Sequence, residues 1–232
     1  MSELPSRDGQ QTPATLDRRD GPYGEVVLRQ RGEHYEIIAN GCFLMDTADG
    51  RSERLLVQAA LDELGGAARG ARPSVLIGGL GVGFSLAYAA AEPCWRRIAV
   101  VERESAVIDW HRGGPLGAFS AGALADPRVE VLATDLLAYL AGPGERFDAL
   151  CLDIDNGPDW TVTEANSGLY GPAGLAAAYG RLTEGGVLAV WSARPSASFE
   201  RALAEAGFTG VRTLEIDVVR GVPDVVHLAR RA

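Results

Sequence analysis

The chain has no lysine, so its 22 basic residues are all arginine, set against 31 acids and leaving a formal net charge of −9. No basic run is present to neutralise phosphates, which argues against a nucleic-acid or membrane-surface partner. A Walker-type phosphate loop is excluded too, because it needs its lysine. Cysteine is scarce: Cys42, Cys94 and Cys151 are scattered, odd in number and without a CxxC. That is the usage of a reduced intracellular protein with no thiolate metal site. Cys151 lies inside an apolar run and reads as a small core residue. The three histidines, His34, His111 and His227, have no spacing that suggests a metal or a triad, and read as surface or satisfied structural residues. There is no GxSxG, so Ser85 is not a nucleophile elbow. No apolar stretch approaches a membrane span and the N-terminus lacks a signal-peptide core, so the expectation is a soluble cytoplasmic protein. At 232 residues the chain holds one full α/β domain, a small appendage and a substantial core.

What the chain does have is glycine, 29 residues of it, and one cluster organises the rest. Val75-Leu76-Ile77 reads as a buried parallel strand. Gly78-Gly79-Leu80-Gly81-Val82-Gly83 is a turn, Phe84 to Ala91 a small-residue helix, and Ile98 to Val101 a second strand ending on Glu102. Strand, glycine turn, helix, strand and acid make the first half of a Rossmann-like nucleotide site. The glycines let backbone approach the ligand, and the acid, about 20 residues on, receives ribose hydroxyls. A dinucleotide GxGxxG starting at Gly79 needs a glycine where Phe84 stands. The spacing is instead Gly79-x-Gly81-x-Gly83, which resembles the cofactor loop of class I S-adenosylmethionine-dependent transferases.

Residues Met1 to Pro22 are polar and without periodicity, and are expected to be a disordered tail. Residues 23–50 carry two β-prone runs, Glu25–Gln30 and His34–Ala39, then the Asn40-Gly41 turn signal and Cys42–Met45. They are expected to form a small β-hairpin subdomain. From residue 51 to 232 the pattern alternates. A helical stripe over Arg51–Leu64 leads into the glycine half, followed by the helix Ser105–His111 and the strand Val129–Ala133. Next come a short helix Leu136–Leu140, the strand Phe147–Leu152, the helix Gly174–Leu182 and the strand Val187–Trp191. The helix Ala197–Ala206 and an antiparallel pair, Val211–Val219 with Val225–Ala229, close the chain. The expected fold class is α/β, a doubly wound, mostly parallel Rossmann-like sheet.

Three strands end in carboxylates, Glu102, Asp135 and Asp153, and right-handed crossovers bring those ends to one crevice. Glu102 suits two ribose hydroxyls, Asp135 an adenine amino group with Leu136 as backbone donor, and Asp153 the reacting end. Asp135 is also a credible helix N-cap. Trp160 lies in a loop with Asn166 and Tyr170, either as a lid or as a hydrophobic anchor; Trp191 reads as core.

The Asn40-Gly41 hairpin, the helix near Ser52-Glu53, VLIGGLGVG, AVVE, DPRVEVLATD, FDALCLDIDNGP and LYGPAGLAAAYGRLTEGGVLAVWS together carry a family resemblance. From Tyr23 to the C-terminus the chain resembles the spermidine synthase family, and more closely its short bacterial spermidine-synthase-like branch. The resemblance implies a shell for the donor at Gly78, Gly79, Gly81, Gly83, Glu102, Arg103, Asp135 and Leu136. It implies an acceptor side at Asp153, Asp155 and Asn156, no metal, and a homodimer. The departures are specific. The family's polyamine synthases carry GGGDG, and Gly81 stands where that aspartate pairs with the ammonium of decarboxylated S-adenosylmethionine. The Tyr-His-Glu of the family's first helix is Arg51-Ser52-Glu53, its glutamine falls near Leu44 or Met45, and its second pocket aspartate aligns with Asn156, beside Asp155.

The expected activity is therefore methyl transfer from S-adenosylmethionine to a small nucleophilic acceptor. The alternatives are aminopropyl transfer from decarboxylated S-adenosylmethionine to a polyamine, as in polyamine biosynthesis, and a non-catalytic nucleoside-binding module.

Overall fold

The computed structural model describes residues 12–65, 72–216 and 222–232. Strands β1 (Ala14–Gly21), β2 (Gly24–Arg31), β3 (His34–Ala39) and β4 (Cys42–Asp46) form an antiparallel sheet in sequence order. Its last turn follows from its residues. Asn40 and Gly41 take φ of 51° and 77°, the paired positive values of a type I′ hairpin.

This sheet corrects two expectations. Part of the supposed tail, Ala14–Gly21, is an edge strand, paired through Gly21↔Gly24 across the Pro22-Tyr23 turn. Residues 1–11 lie outside the described residues. The appendage is accordingly a four-stranded sheet that begins before residue 23. β1 was hidden because its ATLDRRDG has charges on both faces, a pattern that guards an edge and carries no apolar alternation. It is held from below by α3 (Ser105–Arg112): Trp110 Nε1 donates to Asp17 at 2.8 Å and Arg19 pairs with Asp109 at 2.7 Å.

The second sheet has seven strands in the order β10-β11-β9-β8-β5-β6-β7. β5 (Ser74–Gly78), β6 (Arg97–Glu102), β7 (Val129–Ala133), β8 (Phe147–Leu152) and β9 (Leu182–Ser192) are parallel. β11 (Asp224–Arg231) is antiparallel to β9, and β10 (Phe208–Ile216) antiparallel to β11. The expected closing pair is present; residues 217–219 of its first strand lie outside the described residues.

Alternation along each strand splits the core in two. Val75, Ile77, Ile98 and Val100 face α1 (Arg51–Glu63), α2 (Phe84–Ala91) and α3. Leu76, Ala99, Leu150 and Leu188 face α4 (Leu136–Ala141), α5 (Ser167–Tyr170), α6 (Pro172–Arg181) and α7 (Ala197–Glu205). A strand covered on both sides needs apolar residues at every position, which is why β5 reads SVLIG and is buried throughout. Cys151 is a core residue as expected, its thiol pKa pushed up by burial.

The chain lays down β5, β6 and β7 outward in one direction, then returns to place β8 and β9 on the other side of β5. The β5–β8 boundary is thus a topological switch point, where a crevice opens beyond the carboxyl ends of the strands.

Candidate active site

A cavity of about 700 Å³ occupies that crevice. The glycine turn forms one wall. Gly79, Gly81 and Gly83 all have positive φ, of 95°, 50° and 97°, a region that glycine enters without strain. Space adds a second requirement: a Cβ on Gly79 would lie 2.2 Å from the Asp153 carbonyl oxygen. The end of β5 is stitched to β8 across the switch point by Asp153 N–H to Gly78 O, and to β6 by Gly79 N–H to Val101 O, both 2.9 Å.

Glu102 ends β6 at the cavity and is 9% exposed. Its Oε2 accepts from the Leu80 N–H at 3.0 Å and its Oε1 from the Glu104 N–H at 2.8 Å. A carboxylate has about four lone-pair sites, so each oxygen retains one. Burial pushes its pKa up, against those two bonds. Asp135 borders the same cavity and caps α4, accepting from the Ala138 N–H at 2.9 Å. Leu136 is buried, its side chain lying where a Cβ on Gly78 would go. Arg103 bonds Asn166 at 3.0 Å and Thr163 at 3.2 Å, and its guanidinium stacks 4.3 Å from the Tyr23 ring. It clamps the loop after β8 to the N-terminal sheet.

On the acceptor side Asp153, Asp155 and Asn156 all border the cavity, and they differ in how their polar atoms are occupied. Asp153 is half-buried in the cavity wall. Asp155 is spent on its own loop: it accepts from Asn156 N at 2.9 Å, Val162 N at 2.6 Å, Thr163 N at 3.3 Å and Asn166 Nδ2 at 2.7 Å. Four donors fill its lone pairs, so in this structure its carboxylate orders the loop that borders the cavity. Asn156 is buried and borders the cavity. Trp160 is 56% exposed and borders it as well. Trp191, expected in the core, packs on it while also reaching the cavity.

Two further acids line the cavity that were not among the expected acceptor-side residues. Glu53, at the start of α1, and Asp224, at the start of β11, join Asp153 around the cavity. Ser52 Oγ donates to Asp224 at 2.8 Å, tying α1 to β11. Burial, then the Asp153 charge, pushes Glu53 up to about 8. Burial, then Asp224, pushes Asp153 up to about 7. Asp224 is raised as well, chiefly by burial. Neighbouring negative charges in one pocket repel, so each of the three groups is driven towards its protonated form. Only Glu53 had a sequence signal, as the surviving residue of a motif; Asp224 follows a proline with nothing around it to mark it.

No protein-family model matches the chain. Among solved structures, it is similar to spermidine synthase in complex with the transition state analogue AdoDATO, with a TM-score of 0.74 and 17% identity over 94% of this chain and 72% of that one. The spermidine synthase of Thermotoga maritima matches with a TM-score of 0.74 and 16% identity, covering 94% and 73%. The fold is spermidine synthase-like. The N-methyltransferase NodS from Bradyrhizobium japonicum shares it less closely, at a TM-score of 0.56 and 16% identity over 78% of this chain and 94% of that one. Curated relatives named polyamine aminopropyltransferase, from Mycobacterium tuberculosis and Mycobacterium bovis, are 31% identical over 181 residues, 76% of this chain and 32% of theirs. The chain spans about a third of the length of these curated relatives. Among the described residues no helix is long and apolar enough to cross a membrane.

Proposed function

We propose that this chain is a transferase that uses an S-adenosyl donor, and that the group it moves is an aminopropyl group, passed from decarboxylated S-adenosylmethionine to an amine. The observation that carries this reading is the half-buried acid cluster Glu53–Asp153–Asp224 on the cavity wall. Uncompensated carboxylates there are costly unless a cation arrives, and a protonated amine is the cation an aminopropyltransferase must gather. The relatives' name, polyamine aminopropyltransferase, agrees with it.

The cavity residues fit the donor. Glu102 keeps one acceptor site free on each oxygen for the ribose, Gly79 and Gly81 leave backbone bare beside it, and Asp135 with Leu136 stands one strand over for the base. A sulfonium donor supplies an electrophilic carbon and a thioether leaving group, so the C–N bond forms as the C–S bond breaks. The attacking nitrogen must first lose its proton. Asp153, whose pKa lies near neutrality, is matched to taking it, a role worth about 10²- to 10⁴-fold. Glu53 and Asp224 hold the amine against it by charge.

Methyl transfer from intact S-adenosylmethionine is the second reading, favoured by Gly81. No carboxylate stands at that place in the turn to choose the ammonium of the decarboxylated donor or to repel the carboxylate of the intact one. Turnover with each donor and a panel of di- and polyamines separates the two. The expected nucleoside product is 5′-methylthioadenosine; S-adenosylhomocysteine in its place rejects aminopropyl transfer. Tight donor binding with neither product leaves a nucleoside-binding module.

A further inference from the structure

The glycine turn does not hold its shape alone. His111, on α3, is 5% exposed and lies against the turn's inner side. Its Nε2 is 2.9 Å from the Gly81 carbonyl oxygen. The ring edge also fills the space beside Gly83, where a Cβ would come within 2.7 Å of His111 Cε1. From the opposite direction Met45 of β4 closes on Gly81, its Sδ 2.4 Å from where a Cβ would stand. One imidazole therefore touches two of the three glycines whose positive φ values define the turn.

The Gly81 oxygen can only accept, so the bond requires the proton on Nε2. The other tautomer would aim a lone pair at the carbonyl. None of the groups placed in the donor shell contacts Gly81's carbonyl; this ring alone fixes its direction among the described residues' side chains.

We infer that His111 is a positioning residue for donor binding: its Nε2–H anchors the Gly81 carbonyl and locks the glycine turn in its ligand-ready shape. This rests on the reading of the cavity as an S-adenosyl-donor site. The ring reaches the donor only through the turn, so its loss weakens the donor side and leaves the acceptor side unchanged.

The test is calorimetric titration of 5′-methylthioadenosine and S-adenosylhomocysteine into wild type, His111→Phe and His111→Gln. Phenylalanine keeps the ring and removes the donor; glutamine returns an N–H at similar reach. Loss of one buried N–H···O bond of ordinary strength predicts a roughly 3- to 10-fold weaker nucleoside affinity for His111→Phe. His111→Gln should recover most of it, and the acceptor KM should not move in either variant. A merely structural histidine would give equal affinity in all three, or equal losses in both variants, and either result overturns the assignment. Wild type that binds neither nucleoside overturns the donor reading itself, and the role of His111 with it. Should His111→Phe not fold, the wild-type protein decides through its imidazole ¹⁵N shifts. An Nε2–H tautomer whose resonance moves on nucleoside binding supports the anchor; an Nδ1–H tautomer or an unmoved resonance rejects it.

Discussion

Gly81 answers to two constraints that no other residue meets together. Its φ of 50° is left-handed, which costs a side-chain residue about 1–2 kcal/mol. Its missing side chain also makes room for the Met45 sulfur at 2.4 Å from the would-be Cβ. Gly81→Ala should therefore lose at least ~1–2 kcal/mol of stability, a fall in Tm of roughly 2–8 °C for a chain of this size. Adding Met45→Ala relieves the collision and leaves the φ penalty, so the double variant should recover only part of the loss in thermal unfolding. Full recovery would show that strain in φ is absent. A charge placed here to alter donor choice, as in Gly81→Asp, has to be read against Gly81→Ala for the same reason. Glu102 and Asp153 were legible residue by residue because each ends an apolar run that can only be a buried strand. The hydrogen bonding of Asp155 was not legible, because a carboxylate that folds its own loop looks, in sequence, the same as one that faces a ligand.

That loop is an element in its own right. Residues 156–166 carry no long regular structure, and their backbone is organised by Asp155 from within and Arg103 from outside. Asp155→Ala removes the acceptor of four N–H groups, of which those of Asn156, Val162 and Thr163 are backbone. Each buried donor left bare costs about 1–3 kcal/mol, so the loop should detach locally while the sheet persists. Faster proteolysis within 156–166 and faster hydrogen exchange at Val162 and Thr163, with exchange in β5 unchanged, is the expected pattern; uniform change throughout the protein would mean the loop is not a separate unit. Elements with both faces buried, β5, β6 and β8, stood out in sequence because their composition is set by coverage on two sides. β1 did not, since an exposed edge strand is defined by its hydrogen bonds to β2 rather than by any apolar residue of its own. Residues 113–126 give no sequence signal for a related reason: they fold as short 3₁₀ turns, Pro115–Ala118 and Ala123–Ala125, too brief to show a period.

Across the whole molecule the site acids tie stability to pH. Glu53 and Asp153 start from ordinary values of 4.5 and 3.8 in the unfolded chain and are raised to about 8 and about 7 in the fold. Between those limits the native state binds more protons than the unfolded one, so stability falls as pH rises. Carboxylates that arginines hold low, Glu63 beside Arg230 and Asp49 beside Arg51, act in the opposite sense, but only in the acid range. The buried histidines His111 and His227, both depressed by burial from 6.5, also oppose the slope below that value. The net decline should thus be clearest from about pH 6.5 to 8, and Glu53→Gln should flatten it in denaturant titrations. The same linkage gives the acceptor its signature. A protonated amine favours the ionised cluster, so binding must expel protons. Calorimetry in two buffers of different ionisation enthalpy should report net proton release near pH 7 in wild type and less in Glu53→Gln. Spermidine-type amines that bind with no proton release, or equally well to both proteins, would remove the acid cluster from the acceptor site and leave it as a cost the fold carries for some other ligand.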